Sequence, residues 1–230
     1  MGSFDVLGPL LADHVRPVAY DQRGHGWSES GPVSVRAFAD DLAAVVSALR
    51  LSNPVLYGGS FGTLVCLGYF LEGGEARGFI SEDGRVADFQ KLASPPPPPA
   101  RDRRVMSAEE WNTVRQTFAA AGPTGSATAE RSRLLLPDGD IEARPSAEHL
   151  YGKEKVFTGF SITDAFRAAP ERKLLLAAEK APNSVRRRSD IAALQTATSL
   201  DVHWFDTGHW ISAEDTVGVA DVVAGFVRQF

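Results

Sequence analysis

The stretch "LYGGSFGTLVCLGYF" (residues 56–70) decides the fold. An apolar run ends in Gly-Gly-Ser-Phe-Gly, and an apolar segment of helical length follows it directly. This order predicts a buried strand, a very tight turn and a helix. Small residues at Gly58 and Gly62 let the strand and the helix approach closely, so the turn projects the Ser60 hydroxyl from the end of the strand. Ser60 is therefore the candidate nucleophile.

Strand-like and helix-like segments alternate on both sides of this turn. Ser34 is a suitable N-cap for the helix before it. The alternation is typical of an α/β protein with a mostly parallel sheet and helices on both faces. The predicted strands cover residues 16–20, 54–58, 77–83, 173–178 and 200–205, and the predicted helices cover residues 4–14 (interrupted by Pro9), 34–50, 60–71, 189–197 and 213–230.

The alternation stops between about residues 84 and 169. This segment contains five consecutive prolines (residues 95–99), a helix-like patch over residues 107–121 and the flexible-looking "GPTGSATAE" at residues 122–130. A proline run is a stiff spacer, which suits a hinge at the base of an insertion better than an adaptor-binding motif. We therefore expect a core formed by residues 1–84 and 170–230, with residues 85–169 inserted as a cap.

Composition excludes several classes of function. The formal net charge of −5 argues against a nucleic-acid partner, and the basic run at residues 186–188 is interpreted as a solvated helix face. Cys66 is the sole cysteine, so we expect a buried, inert thiol and neither a disulfide framework nor a thiolate zinc cluster. No cofactor or metal is implied. Because no segment has the pattern of a membrane span or signal peptide, the expected compartment is the cytoplasm.

A serine nucleophile needs a base, and the sequence contains five histidines. His209 lies in "DTGHW" (residues 206–210), directly after the last predicted strand and before the terminal helix. A loop at the carboxyl edge of a parallel sheet can place an imidazole over the serine. The order of serine before histidine also suits such a site. His209 is therefore the candidate general base, and a capping or core histidine is the alternative.

Three motifs resemble the α/β-hydrolase superfamily and are most similar to its proline iminopeptidase-like members. They are "YDQRGHGWSES" (residues 20–30), the stretch around Ser60, and "DTGHW". The resemblance covers residues 4–84 and 173–230. It implies an α/β-hydrolase fold with an inserted helical cap, Ser60 as nucleophile and His209 as base. The backbone N–H of Phe61 would be one donor to the oxyanion.

The sequence departs from this family where the acid of a catalytic triad is expected. Relatives usually carry the acid after the penultimate strand, where this sequence has Ala181, which cannot accept a hydrogen bond from imidazole. Haloalkane dehalogenases carry it after an earlier strand, a position that matches Asp83. The alternative acids are Glu82 and Glu179. Two further alternatives are a Ser–His dyad without an acid and the deliberate replacement of a native acid at position 181. In each of these cases Asp83 would only cap the turn at Gly84.

A second departure lies at the N-terminus. Relatives begin with two or three strands and a His-Gly-Gly-Pro-Gly-like loop, whereas "MGSFDVLGPLL" (residues 1–11) resembles the segment after that loop. The resemblance therefore implies an N-terminally shortened fold in which the amide of Gly2, or that of Ser3, is the candidate for the second oxyanion donor. Without the early strands one sheet edge is exposed, and we expect a second copy or another partner to cover it.

The leading hypothesis from sequence is a serine-dependent hydrolase acting on an ester or amide of a small molecule or short peptide. In an aminopeptidase-like enzyme, Glu109 and Glu110 of the cap would meet the substrate's amino terminus, but no motif matches there and the pattern favours a solvated helix face. The alternatives are a lyase, cyclase or isomerase on the same scaffold, or a ligand-binding homologue with impaired catalysis. The unusual acid position counts towards both alternatives.

Overall fold

A computed structural model of the protein describes residues 4–88, 105–120, 122–145, 159–181 and 184–230, with the side chains of residues 184 and 185 left aside. The described elements are, in chain order, α1 (Phe4–Leu11), α2 (Val35–Ala48), β1 (Val55–Gly59), α3 (Phe61–Leu71), β2 (Gly78–Glu82), β3 (Val105–Met106), α4 (Ala108–Ala119), α5 (Gly122–Arg131), β4 (Arg133–Leu135), β5 (Ile141–Ala143), α6 (Ile162–Ala168), β6 (Lys173–Ala178), α7 (Ser184–Ala197), β7 (Leu200–Phe205), α8 (Ile211–Glu214) and α9 (Thr216–Val227).

Contacts divide the chain into two units. The sheet unit comprises Ser34–Leu92, Val156–Ile211 and Gln229–Phe230, and the helical unit comprises Met1–Val33, Ala93–Lys155 and Ser212–Arg228. The predicted division into a core (1–84 and 170–230) and a cap (85–169) stays a prediction. The proline run at residues 95–99 lies outside the described residues.

The sheet unit is built on a parallel sheet of strand order β1-β2-β6-β7. This confirms the predicted α/β architecture and four of the five predicted strands. Every residue of β2 and β6 is buried, as expected for strands covered on both faces. Phe79 of β2 packs against Phe70 of α3 at 5.4 Å and Phe166 of α6 at 5.8 Å between ring centroids. Aromatic packing thus joins the sheet to two helices.

Helices α2 and α3 fix the position of the turn that follows β1. The Ser34 hydroxyl accepts a hydrogen bond from the Ala37 amide, so α2 begins where the sequence predicts. All residues from Thr63 to Phe70 of α3 are buried, because a helix that is apolar all round must lie inside the protein. α2 packs along α3. The helix that follows Ser60 is therefore a fixed, central element.

The predicted strand at residues 16–20 is wrong. These residues belong to neither sheet and are largely exposed. Among the described strands, β1 pairs with β2 alone. An apolar run forms a strand only when a neighbouring strand takes up its backbone hydrogen bonds, and neither described sheet includes residues 16–20.

Two further expectations are corrected in the helical unit. The flexible-looking residues 122–130 form most of helix α5. Pro123 suits the first turn of a helix, and Ala129 is fully buried, so packing supplies what the glycine-rich sequence lacks. Helix α1 continues through Pro9 instead of being interrupted, since buried Leu7 and Leu11 anchor both sides of it.

The helical unit has its own small core. α1 packs against α5 and α9, and the antiparallel sheet β3-β5-β4 lies in the same unit. Ser107 and Glu110 form a reciprocal capping box at the start of α4. One buried cluster of the unit consists of Trp111, Ala129, Ile141 and Ala143, with Met106 and Val114 packed against it.

None of the helices in the described ranges has both the length and the apolar character needed to cross a membrane.

Candidate active site

The turn between β1 and α3 holds Ser60 in a conformation that serine rarely adopts. Its φ is 49° and its ψ is −109°, a strained region that costs about 1–3 kcal/mol for a residue other than glycine. The Ser60 amide donates a hydrogen bond of 2.8 Å to the Glu82 carbonyl at the end of β2. The surrounding backbone therefore fixes the strained residue, as expected for a serine presented at the tip of a turn.

Gly58 has no room for a side chain. A Cβ atom there would lie 2.5 Å from the Gly62 carbonyl and 2.6 Å from the Thr63 amide nitrogen. Gly58→Ala is expected to lower the free energy of unfolding by about 1–3 kcal/mol, because backbone cannot yield as a side chain can. Thermal denaturation measures this as a fall in Tm. The matched control is Gly225→Ala in α9, where the nearest atom lies 4.0 Å away. Equal Tm values for the two variants would contradict the close approach.

Three side chains from separate loops meet at the carboxyl edge of the parallel sheet. His209 Nε2 lies 3.0 Å from Ser60 Oγ, and His209 Nδ1 lies 2.6 Å from Asp83 Oδ2. A carboxylate can only accept, so Nδ1 carries the proton and donates to Asp83. Nε2 then offers its lone pair to the Ser60 hydroxyl. The structure thus brings together the three predicted residues in the order hydroxyl, imidazole and carboxylate.

Backbone hydrogen bonds tie each of these loops to its neighbour in the sheet. The Asp83 amide donates to the Leu176 carbonyl of β6 at 2.8 Å, and the Thr207 carbonyl, two residues before His209, accepts from the Lys180 amide at 3.0 Å. Together with the bond from Ser60 to Glu82, these contacts continue the hydrogen bonding past the strand ends. The backbone that carries the three side chains is therefore fixed beside the sheet.

Asp83 is buried and strongly coordinated. Its side chain is 1% exposed, and its backbone has a φ of 44°, a left-handed conformation that aspartate tolerates. Oδ1 accepts from the Ala178 amide at 3.0 Å and from Arg187 Nη2 at 2.7 Å. Oδ2 is left to His209. A turn cap at Gly84 therefore does not account for this carboxylate.

The other candidate acids are engaged elsewhere. Glu82 Oε2 accepts a hydrogen bond of 2.5 Å from the Tyr57 hydroxyl. Burial, together with the charge of Glu82, raises the pKa of Tyr57 well above its usual value, so the phenol remains a donor. Glu179 pairs with Arg188 at 3.1 Å. Ala181 is buried and offers no acceptor.

Of the two predicted oxyanion donors, the structure describes Phe61 but not Gly2. Phe61 is the first residue of α3, so its N–H belongs to the end of the helix where amides concentrate positive potential. The Phe61 ring is fixed edge-on against Phe38, with 5.1 Å between centroids. Gly2 lies outside the described residues. Both assignments stay predictions.

Two features of the sheet unit lie outside this constellation. Cys66 is buried in α3, and burial raises the pKa of its thiol to about 12, in agreement with the inert cysteine that was predicted. A cavity of about 740 Å³ borders α2 and the C-terminal end of α3, near Arg36 and Glu72. Its lining includes none of Ser60, Asp83 or His209.

Within the described ranges, no three His, Cys, Asp or Glu side chains are grouped to hold a metal ion.

The sequence matches the model of the Alpha/beta hydrolase family over residues 2–222. The chain belongs to the alpha/beta hydrolase family. A search of curated proteins found no match to this sequence. Family membership supports a hydrolase in general and confirms the superfamily that the three motifs indicate.

Solved structures share the fold of this alpha/beta hydrolase. E-2-(acetamidomethylene)succinate hydrolase is 17% identical with a TM-score of 0.74, over 99% of this chain and 87% of that one. An esterase from Exiguobacterium antarcticum is 17% identical with a TM-score of 0.68, over 98% and 87%. The thioesterase domain from the curacin biosynthetic pathway is 15% identical with a TM-score of 0.68, over 99% and 86%. At these identities the likeness concerns the fold.

Sequence reasoning missed two residues of this alpha/beta hydrolase. The Trp210 ring lies edge-on to His209 at 5.2 Å between centroids and is 65% exposed. Arg187 belongs to the basic run interpreted as a solvated face, yet it is the one of the three arginines that reaches Asp83. A signal for it was present, because Arg187, Ile191 and Leu194 have i, i+4, i+7 spacing, and the last two are 1% and 2% exposed.

Proposed function

We propose that this protein is a serine hydrolase that transfers the acyl group of an ester or amide to water. The proposal rests on the continuous hydrogen-bonded chain from Ser60 through His209 to Asp83, at 3.0 Å and 2.6 Å. Residues with these properties in this order form the constellation that activates a serine hydroxyl. The same role explains why the protein keeps Ser60 in a strained backbone conformation.

Each side chain has a defined part in the proposed reaction. His209 Nε2 takes the hydroxyl proton as Ser60 Oγ attacks the substrate carbonyl, and Asp83 stabilises the imidazolium through Nδ1. The Phe61 amide donates to the oxyanion of the tetrahedral intermediate. The intermediate collapses as His209 returns the proton to the leaving alcohol or amine. Water then repeats the sequence on the acyl-enzyme, releasing the acid and restoring Ser60.

We further propose that the substrates are small esters and amides, including short peptides. Trp210 offers an exposed aromatic face beside His209, which suits an apolar group next to the scissile bond. The proline iminopeptidase-like motifs favour a substrate with a free amino terminus. Glu110 is an unsuitable partner for that amine, because its carboxylate accepts from the Ser107 amide at 2.8 Å. Comparing a nitrophenyl ester with a prolyl anilide distinguishes the ester and amide readings.

A fluorophosphonate probe tests the proposal directly. We expect the full-length protein to take up one probe per chain, with the adduct on the peptide that contains Ser60. Ser60→Ala is expected to remain unlabelled. The control is Ser52→Ala, which removes an exposed hydroxyl from the loop before β1 and should label fully. Failure of the intact, folded protein to label would contradict an acyl-transfer mechanism and favour a non-hydrolytic enzyme or a binding protein.

A further inference from the structure

Arg187 of α7 makes a buried contact that the three-residue mechanism does not include. Its Nη2 lies 2.7 Å from Asp83 Oδ1 and also donates to the Gly84 carbonyl at 3.1 Å. The Arg187 side chain is 16% exposed and the Asp83 side chain 1% exposed. The neighbours of Arg187 in sequence are far more exposed. Arg186 pairs with Asp190, and Arg188 pairs with Glu179. Arg187 is thus the arginine of this run that the fold directs inward.

We propose that Arg187 is a positioning residue that acts on His209 through Asp83. This inference rests on the proposed function and adds a fourth member to its hydrogen-bonded chain. A carboxylate as buried as Asp83 is costly to keep ionised unless a cation or several donors compensate it. Arg187 supplies that cation on Oδ1, on the side of the carboxylate away from His209. It therefore both offsets the cost of burying the carboxylate and fixes the rotation that presents Oδ2 to Nδ1.

The arrangement also explains how an acid after β2 can serve where Ala181 replaces the usual one. The Ala178 amide and Arg187 both bind Oδ1, so one oxygen is anchored and the other is free to accept from the imidazole. Within the described residues, Arg187 Nε is buried without a hydrogen-bond partner. The hydrogen bonds that the described structure gives the guanidinium run from Nη2 to Asp83 and to the Gly84 carbonyl, so its position is tied to the Asp83 loop.

The charges around His209 make the electrostatic consequence predictable. Asp83 is the carboxylate that faces the imidazole, and Arg187 is the cation behind it. Four other charged groups of the adjoining described elements have partners of their own: Glu82 pairs with Tyr57, Glu179 with Arg188, Lys180 with Asp206, and Arg186 with Asp190. A positive charge behind Asp83 opposes a second positive charge on the imidazole. Removing it should move the acidic limb of the pH–rate profile to higher pH.

The test compares Arg187→Met, which keeps the apolar stem, with the matched control Arg186→Met on the same turn. We expect Arg187→Met to lower kcat for a nitrophenyl ester by about 10–100-fold with KM unchanged, by analogy with residues that orient a metal-ligating side chain. The acidic limb should shift to higher pH, and Arg187→Lys should recover part of the loss. Arg186→Met should match the wild type.

A double-mutant cycle separates this role from general stabilisation. In an Asp83→Asn background, Arg187→Met should have little further effect, because the group through which it acts is already gone. Equal kcat and pH profiles for Arg187→Met and Arg186→Met would overturn the proposal. So would an undiminished Arg187→Met effect in the Asp83→Asn background.

A readout independent of turnover distinguishes failure of this inference from failure of the proposed function. The proton shared by His209 Nδ1 and Asp83 gives a strongly downfield NMR resonance when the pair is short. Arg187→Met should weaken or shift that resonance, even in a protein that no fluorophosphonate labels. If no fluorophosphonate labels the protein but Arg187→Met still changes the resonance, the proposed hydrolase function is rejected and the positioning role is retained. An unchanged resonance in folded Arg187→Met rejects the positioning role.

Discussion

Replacing His209 by alanine is expected to reduce kcat for a nitrophenyl ester by about 10⁶-fold, because removal of the base alone nearly abolishes the action of a serine triad. The reason lies in the 3.0 Å contact between Nε2 and Ser60 Oγ. Without that acceptor, the hydroxyl must attack as a neutral alcohol and the leaving group departs without a proton donor. Binding of the substrate should be largely retained, so KM changes far less than kcat.

His203→Ala provides the control for His209→Ala. His203 lies on β7, is exposed, and contacts Phe205 with its ring tilted by 57°, at 4.8 Å between ring centroids. It is a histidine of the same unit without a place in the hydrogen-bonded chain. We expect wild-type kcat from this variant and a residual rate from His209→Ala in parallel assays. Comparable rates from the two variants would exclude His209 as the base.

The turn at Ser60 and the position of His209 beside it could be predicted from sequence because both depend on local order. A strand, a Gly-Gly-Ser-Phe-Gly turn and a helix are adjacent along the chain, and His209 follows the last strand directly. The sheet then brings the ends of β1 and β7 to the same edge. Periodicity and chain order determine such placements without knowledge of any side-chain rotamer.

From sequence, the carboxylate partner of His209 could be narrowed to a few residues but not identified. Glu82 is the last residue of β2 and Asp83 directly follows it, so two carboxylates lie side by side at the strand end. Which of them His209 meets depends on how β7 and its loop are placed, and this is a property of the whole sheet. The structure directs Glu82 to Tyr57 and Asp83 to His209. Sequence alone leaves both open.

Residues 16–20 were mispredicted for a related reason. Their apolar content is sufficient for a strand, but a strand exists only when a neighbour completes its hydrogen bonds. The sequence of a segment carries no information about whether such a neighbour is available. Arg187 shows the converse case, since its basic character suggested solvent while the apolar stripe it shares with Ile191 and Leu194 placed it inside.

Asp83→Asn is expected to lower kcat by about 10⁴-fold while leaving the fold intact, as neutralisation of the triad acid does in serine proteases. Asparagine preserves the shape of the side chain and can still accept from the Ala178 amide and Arg187 through its oxygen. Its NH₂ group would then face His209 Nδ1. Two donors cannot share one hydrogen bond, so the imidazole is driven to the tautomer with its proton on Nε2. That tautomer cannot take the proton of Ser60.

Asp88→Asn is the matched control for Asp83→Asn. The Asp88 carboxylate accepts from the Ile162 amide at 2.7 Å, a role that an amide oxygen fills equally well. We expect this variant to retain wild-type turnover. Circular dichroism and thermal denaturation of both variants establish that any loss of rate is not a loss of fold.

Placing an acid at position 181, where relatives usually carry it, is a second test of Asp83 as the partner of His209. Ala181→Asp is expected to bring no gain in kcat to the wild-type protein, because His209 Nδ1 already donates to Asp83 at 2.6 Å and has a single proton to give. A large gain would mean that Asp83 does not serve the imidazole. In the Asp83→Asn background the new carboxylate has no anchored oxygen comparable to Oδ1 of Asp83. Recovery there should therefore be small, since a functional acid needs a fixed rotation as well as a charge.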